Sequence, residues 1–326
     1  MSDYRGLFTI DAAARYQNLP HEVIVTRLGP GLWTASAGTY RTVFAEGYSS
    51  IIAINTFGTP GMAASYRHAI ERTVPGKPIL TIIQSIDHLD HTGYGQVLAP
   101  SADVVAHELA AGVIAGRNTD GQLPATHIIH GADEGLIIDG VAVRLQYPAP
   151  TMGTGNLGIK FLDHKVLFVV GPQAGVRYGL FPDVHFRHFV PGIRQLITDD
   201  IDTIVPGRRA ILNRHQALAA LDYLIDFQTA CQEALVAGTV QIWLLEPVGE
   251  FLYQRLADRW SHLDGFDIDN LGLSGLRCIN HYYMGGWGLE DTSRPELIRS
   301  ELPTPGNPDA MISPLDTDAV FQRWSQ

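Results

Sequence analysis

The loop ILTIIQSIDHLDHTGYG, Ile79 to Gly95, places His88, Asp90 and His91 within four residues, directly after an apolar run that reads as a buried strand. Two imidazoles and a carboxylate at that spacing suit two chemistries. They can ligate zinc or iron, which lowers the pKa of a bound water and makes hydroxide near neutral pH. Without a metal, the carboxylate can orient an imidazole that accepts or donates a proton near pH 7. One position bears on the choice. Two residues before His88 the chain has Ile86, which offers no ligand.

Further residues carry weaker signals. His185 and His188 in PDVHFRHF follow a strand that points toward the same loop, so either can line a pocket or lie on a solvated turn. His281, Tyr282, Tyr283 and Trp287 form an aromatic stretch that suits closure over a ligand, or core packing. The glycine-rich GTGNLG precedes a strand instead of opening a helix, which excludes a phosphate-binding loop.

The elements that must hold these residues alternate in kind along the chain. EVIVTRLGPGLWTASAG reads as two strands about a Gly-Pro-Gly turn, and TVFAEGYSSIIAINT as a hairpin leading into a buried strand. Helical spacing from Gly61 to Thr73 precedes the strand KPILTIIQS, and AHELAAGVIAG reads as a helix ending at Gly116. Strand signals return in GLIIDGVAVRLQYPAP and GNLGIKFLDHKVLFVVG. A helix and a short strand follow in FRHFVPGIRQLITDDIDTIVPG, then a long helix from about Arg214 to Gly238. Strands, βα units, strands again and βα units again predict an α/β fold of four layers, αββα, with two sheets face to face. We expect an extension over 1–21, the domain over 22–240, and a tail over 241–326 packed on that domain. From about Gly265 the tail shows no clear period.

With 45% hydrophobic and 17% charged residues, the 326-residue chain has enough apolar surface for a sizeable core. Its net charge of -11, with no Lys/Arg cluster, argues against a nucleic-acid partner. No apolar run is long enough to span a bilayer and no leader pattern is read, so a cytoplasmic protein without a membrane partner is expected. Cys231 and Cys278 lack motif spacing and read as buried thiols.

In order and separation, AIERTVPGKPILTII, DHLDHTGYGQVL, VVAHE, YPAPTMGTGNLGIKFLDHKVLFVV and DIDTIVPG resemble the metallo-β-lactamase superfamily, most closely its alkyl-sulfatase-like and hydrolase branch. The likeness runs from about Glu22 to Gly238. It implies a two-metal site built from a His-x-His-x-Asp-His loop, a further His, a bridging carboxylate and a last His. On this chain those places fall on Ile86, His88, Asp90, His91, Met152, Gly171 (or Pro172, one residue on) and Arg208, so four of the seven ligands are missing. His107 falls where family members commonly have a histidine outside the metal shell. Arg208 is a permanent cation that would repel a divalent ion and could supply the charge of an absent one.

The reading that follows is a metal-independent enzyme on a metallo-β-lactamase-like scaffold. It would act on a small-molecule substrate by general acid/base chemistry such as elimination, cyclisation, isomerisation or ring opening. His88, Asp90 and His91 would form the catalytic group, with Arg208 as anion anchor. Met152, Ile86, Arg177, Tyr178 and His185 would line the substrate site. No cofactor is expected. Two alternatives stand beside it: a non-catalytic ligand-binding protein, and a hydrolase with one zinc or iron. A homodimer is a further expectation.

Overall fold

The computed structural model describes residues 22–173, 175–176 and 184–283. Arg177, Tyr178 and Trp287, the extension 1–21, and the tail beyond 283 lie outside the described residues.

Seven strands form the first sheet in chain order: β1 Ile24–Gly29, β2 Leu32–Ala37, β3 Tyr40–Glu46, β4 Ile51–Ile54, β5 Ile79–Gln84, β6 Asp103–His107 and β7 His127–Ile129. The pairs from β1 to β4 are antiparallel, and those from β4 to β7 are parallel. The second sheet has the order β13-β12-β11-β10-β9-β8, formed by β8 Asp133–Ile138, β9 Val141–Gln146, β10 Gly158–Phe161, β11 Val166–Phe168, β12 Thr203–Val205 and β13 Leu212–Asn213.

Strand β4 shows why the layers stack as they do. IIAI has no polar alternation because both its faces are covered. Ile51 and Ala53 join a core with Met62, Tyr66 and Ile70 of helix α1 (Pro60–Thr73). Ile52 and Ile54 point the other way, into a core shared with Leu145, Ile159 and Phe161 of the second sheet. In β5, Ile82 and Ile83 divide in the same manner. A period of two along each strand therefore builds helix, sheet and second sheet in turn, and helices beyond complete the four-layer αββα sandwich.

The remaining described helices are α2 Leu89–Thr92, α3 Gly95–Leu98, α4 Glu108–Arg117, α5 Phe186–Leu196, α6 Arg214–Ala237, α7 Leu245–Trp260 and α8 Ile268–Tyr283. Their ends follow local chemistry. Thr59 caps α1 by accepting from the Met62 N–H at 3.2 Å, with Pro60 at the first helical position. Asn213 and Gln216 form a reciprocal capping box on α6, which ends at left-handed Gly238. Beyond residue 240, Leu252, Leu256, Leu271 and Cys278 bury into the same core as the second sheet. Cys231 of α6 hydrogen-bonds Cys278 of α8, and burial pushes the Cys231 thiol well up, with Cys278 beside it adding to the rise. Among the described residues no helix is long and apolar enough to cross a membrane.

Candidate functional site

The parallel strands β4, β5 and β6 end at one edge of the sandwich, where side chains are free of the ladder and loops can gather. β5 runs directly into Ser85–His88 and then α2. This loop is anchored on both sides. Asn55, after β4, exchanges bonds with Ser85: the Ser85 N–H donates to Asn55 Oδ1 at 2.9 Å, and Asn55 Nδ2 donates to Ser85 Oγ at 3.0 Å. The Leu157 N–H donates to the Ser85 carbonyl at 2.7 Å, tying the loop to the second sheet. The Thr56 N–H takes the His91 carbonyl at 2.8 Å.

A second loop meets it from the opposite sheet. Gly207, Arg208 and Arg209 follow β12, and they zip onto the start of β3. The Arg41 N–H donates to the Gly207 carbonyl at 2.8 Å, the Arg209 N–H to the Thr39 carbonyl at 2.6 Å, and Tyr40 and Arg208 form a β-bridge. Gly207 makes this junction possible. Its φ of +74° is a left-handed conformation, and a β-carbon there would press on Val170 and stand 3.4 Å from the His91 ring.

The junction delivers the Arg208 guanidinium to the loop. Nη2 pairs with Asp90 Oδ2 and donates to the Tyr40 hydroxyl at 3.1 Å. The Tyr40 hydroxyl donates in turn to Asp90 Oδ2 at 3.2 Å, and the guanidinium carbon lies 4.1 Å from the Tyr40 ring centroid. Tyr40 also meets His91 edge to face, with ring centroids 5.5 Å apart. His88 Nδ1 stands 3.9 Å from Asp90 Oδ1, near enough for attraction but beyond a hydrogen bond.

Burial decides the charge states. It pulls His91 down to about 4, with Arg208 and His88 adding to the fall and Asp90 opposing it. His91 is therefore neutral at physiological pH. For Asp90, burial is the strongest single influence and favours the neutral acid. The cationic forms of His91, Arg208 and His88, with the Tyr40 hydroxyl bond, outweigh it and hold the carboxyl below its usual range. Since His91 is uncharged above about pH 4, Arg208 is the permanent cation that keeps Asp90 ionised.

The same geometry tests the metal centre that the sequence resemblance implies against the residues present. Ile86 and Met152 are 0% and 1% exposed and belong to the main apolar core. A β-carbon at Gly171 would sit 3.2 Å from both Ile193 Cδ1 and Phe189 Cζ of α5, so a bridging carboxylate there would have to displace those side chains. Arg208 occupies Asp90. Among the described residues, no group of three or more His, Cys, Asp or Glu side chains is placed to hold a metal ion. The donor set does not fit a dinuclear centre.

Of the other expected residues, His185 is brought alongside the Met152 loop by its backbone: its N–H donates to the Thr151 carbonyl at 2.9 Å, and Met152 bridges Val184. His107 caps α4 through the Leu109 N–H at 3.3 Å and stacks on Tyr147 at 4.1 Å, which are structural tasks. Two site residues lay beyond sequence reasoning. Tyr40 sits 50 positions from Asp90 and 168 from Arg208, and no local pattern connects them. Asp87 lies in the loop segment that carries His88, Asp90 and His91, but its burial is visible only in the fold.

Comparison with known proteins agrees with this architecture. The chain is 43% identical over 281 residues to the 2,4-dinitroanisole O-demethylase subunit beta of Nocardioides sp. (strain JS1661), covering 86% of this chain and 88% of that protein. It is 40% identical over 267 residues to the subunit alpha from the same strain, covering 80% of each. Among solved structures, the inverting sec-alkylsulfatase Pisa1 from Pseudomonas sp. matches with a TM-score of 0.62 at 14% identity, over 93% of this chain. This chain spans 58% of the alkylsulfatase's length. The DIM-1 metallo-β-lactamase matches with a TM-score of 0.54 at 14% identity, over 63% of this chain and 97% of that one. These two likenesses establish a metallo-β-lactamase-like fold. No protein-family model matches the chain.

Proposed function

The chain belongs to the family of the 2,4-dinitroanisole O-demethylase subunits, and from that premise we propose that it is an enzyme cleaving the methyl ether of an electron-poor, nitro-substituted aryl substrate without a metal. The observation that carries this reading is the Arg208–Asp90–Tyr40 cluster beside His88, standing where the fold's metal ligands would be.

Ether cleavage of this kind needs proton movement and charge stabilisation. Water adds to the ring carbon bearing the methoxy group, and His88 accepts the proton as the new C–O bond forms. The electron pair passes into the nitro-bearing ring, and the Arg208 guanidinium, which also pairs with Asp90, would stabilise it. When the old C–O bond breaks, the proton returns to the departing oxygen. Aryl methyl ether and water thus become a phenol and methanol. His88 suits the proton transfer better than His91, which stays neutral above about pH 4 and is 3% exposed. Asp90, held ionised by Arg208, orients the loop and faces His88 Nδ1. Ile86 and Met152 fill the volume a metal would take, and His185 closes the Met152 side.

The test is turnover of 2,4-dinitroanisole by the purified chain, followed by nitrophenolate absorbance and methanol release, with and without a chelator. We expect chelator-insensitive turnover. His88→Ala and Arg208→Met should each lower kcat by about 10²-fold. Activity abolished by chelation and restored by zinc would sink the metal-free reading, and wild-type kcat in His88→Ala would sink the proton-transfer role. A second reading, a ligand-binding subunit without turnover, draws on the four replaced ligand positions. Substrate binding with no product would favour it. Because the relatives are named as subunits of one enzyme and both resemble this chain, we also place it in an assembly of two copies in the cytoplasm. Light scattering of the purified chain checks the first of these points.

A further inference from the structure

Asp87 is a buried carboxylate that the reaction above does not use. It is 6% exposed, three residues past the end of β5, and such a charge needs partners to persist there. Arg117, the last residue of α4, supplies them. Its Nη1 donates to the Asp87 carbonyl at 2.7 Å, and its Nη2 stands 3.5 Å from Asp87 Oδ2. The same guanidinium donates to Gln122 Oε1 at 3.4 Å, and Gln122 Nε2 donates to Thr92 Oγ1 at 2.8 Å. The Thr92 hydroxyl donates to the His88 carbonyl at 2.9 Å. Arg117 therefore grips the backbone on both sides of His88, directly at Asp87 and through two side chains at His88 itself.

The side chains converge as well. Gly153 lies against them in the left-handed region, with φ of +64°. A β-carbon there would run into Asp87 Oδ1 and would stand 3.2 Å from His88 Nε2. Asp87 Oδ1 and His88 Nε2 thus meet the same bare patch of backbone, while His88 Nδ1 faces Asp90 at 3.9 Å. Asp90 is committed to Arg208 and Tyr40, so it is poorly placed to fix the His88 ring alone.

We infer that Asp87 and Arg117 are positioning residues for His88, with Arg117 locking Asp87 and Asp87 setting the His88 ring against Gly153. This inference rests on the proton-transfer role given to His88 under the proposed function. The experiment is a double-mutant cycle in the full chain, assayed with 2,4-dinitroanisole. Asp87→Asn, which keeps the shape, and Arg117→Met should each lower kcat about tenfold or more while KM stays within about twofold, since small misplacements of a reacting group carry penalties of that order. In the His88→Ala background, Asp87→Asn should have no further effect. An undiminished effect in that background, or wild-type kcat in Asp87→Asn, overturns the inference. A substrate-free measurement runs beside it: the rate at which diethyl pyrocarbonate modifies His88, read by peptide mass spectrometry. It should rise several-fold in both variants, while exposed His68 stays unchanged. An unchanged His88 rate overturns the positioning role. If His88→Ala keeps full turnover, the proton-transfer reading fails, and the labelling rate alone decides whether the ring is held by Asp87.

Discussion

Arg208→Ala removes the cation that stands in the site, and the structure sets the size of the effect. An exposed ion pair is worth about 0–1 kcal/mol, whereas stripping one partner from a buried pair costs about 3–5 kcal/mol. The guanidinium is 16% exposed and the carboxylate 35%, so solvent screens the pair in part. We take about 2 kcal/mol for the pair, and about 0.5 kcal/mol more for the lost contact with the Tyr40 face. At neutral pH the variant should therefore unfold roughly 4–8 °C below the parent. The pH dependence carries the sharper test. Asp90's folded pKa is depressed, so the pair's contribution is complete above the unfolded carboxylate value of about 4 and is lost as pH falls through the lower folded value. Without Arg208, burial pushes Asp90 toward its neutral acid. The stability gap between parent and variant should thus be widest at pH 7 and narrow toward pH 3. Urea unfolding at the two pH values measures it. A gap under about 0.5 kcal/mol at pH 7, or one of equal size at both pH values, would refute the argument that Arg208 replaces a metal's charge.

His91 should make the fold acid-labile. Its folded pKa of about 4 lies below the unfolded value of about 6.5, so stability is full above 6.5 and falls toward pH 4, by about 3 kcal/mol in all; His91→Asn should flatten that slope in urea melts. Gly153→Ala forces a side chain into a left-handed backbone and onto Asp87, and should cost about 1–3 kcal/mol by calorimetry. Arg208→His should bind no zinc by elemental analysis after dialysis, because Ile86, Met152 and Gly171 still offer no donor. Tyr40→Phe should lose about 1 kcal/mol, the net worth of its hydroxyl bonds, with the Arg208–Asp90 pair retained.

What the sequence determined by itself was whatever short-range periodicity and local chemistry control. The apolar run of β5, the His88–Asp90–His91 loop after it, and α6 from about Arg214 to Gly238 all follow from neighbours within a few residues. So did the succession of strands and helices that demands four layers. Helix α8 was missed although Leu271, Gly275, Cys278 and Ile279 bury at helical spacing, because its glycines blurred an apolar stripe that packing against α7 makes clear. The three-residue β7 and two-residue β13 escaped as well; each is held by pairing with a neighbouring strand, β7 with β6 and β13 with β12. Only the tertiary structure decided that Tyr40 joins Arg208 and Asp90, that Arg117 grips Asp87, and that His91 is too buried to carry charge. Those facts depend on which residues meet across two packed sheets and on how much water is left between them. Neither quantity is written in the spacing of residues along the chain.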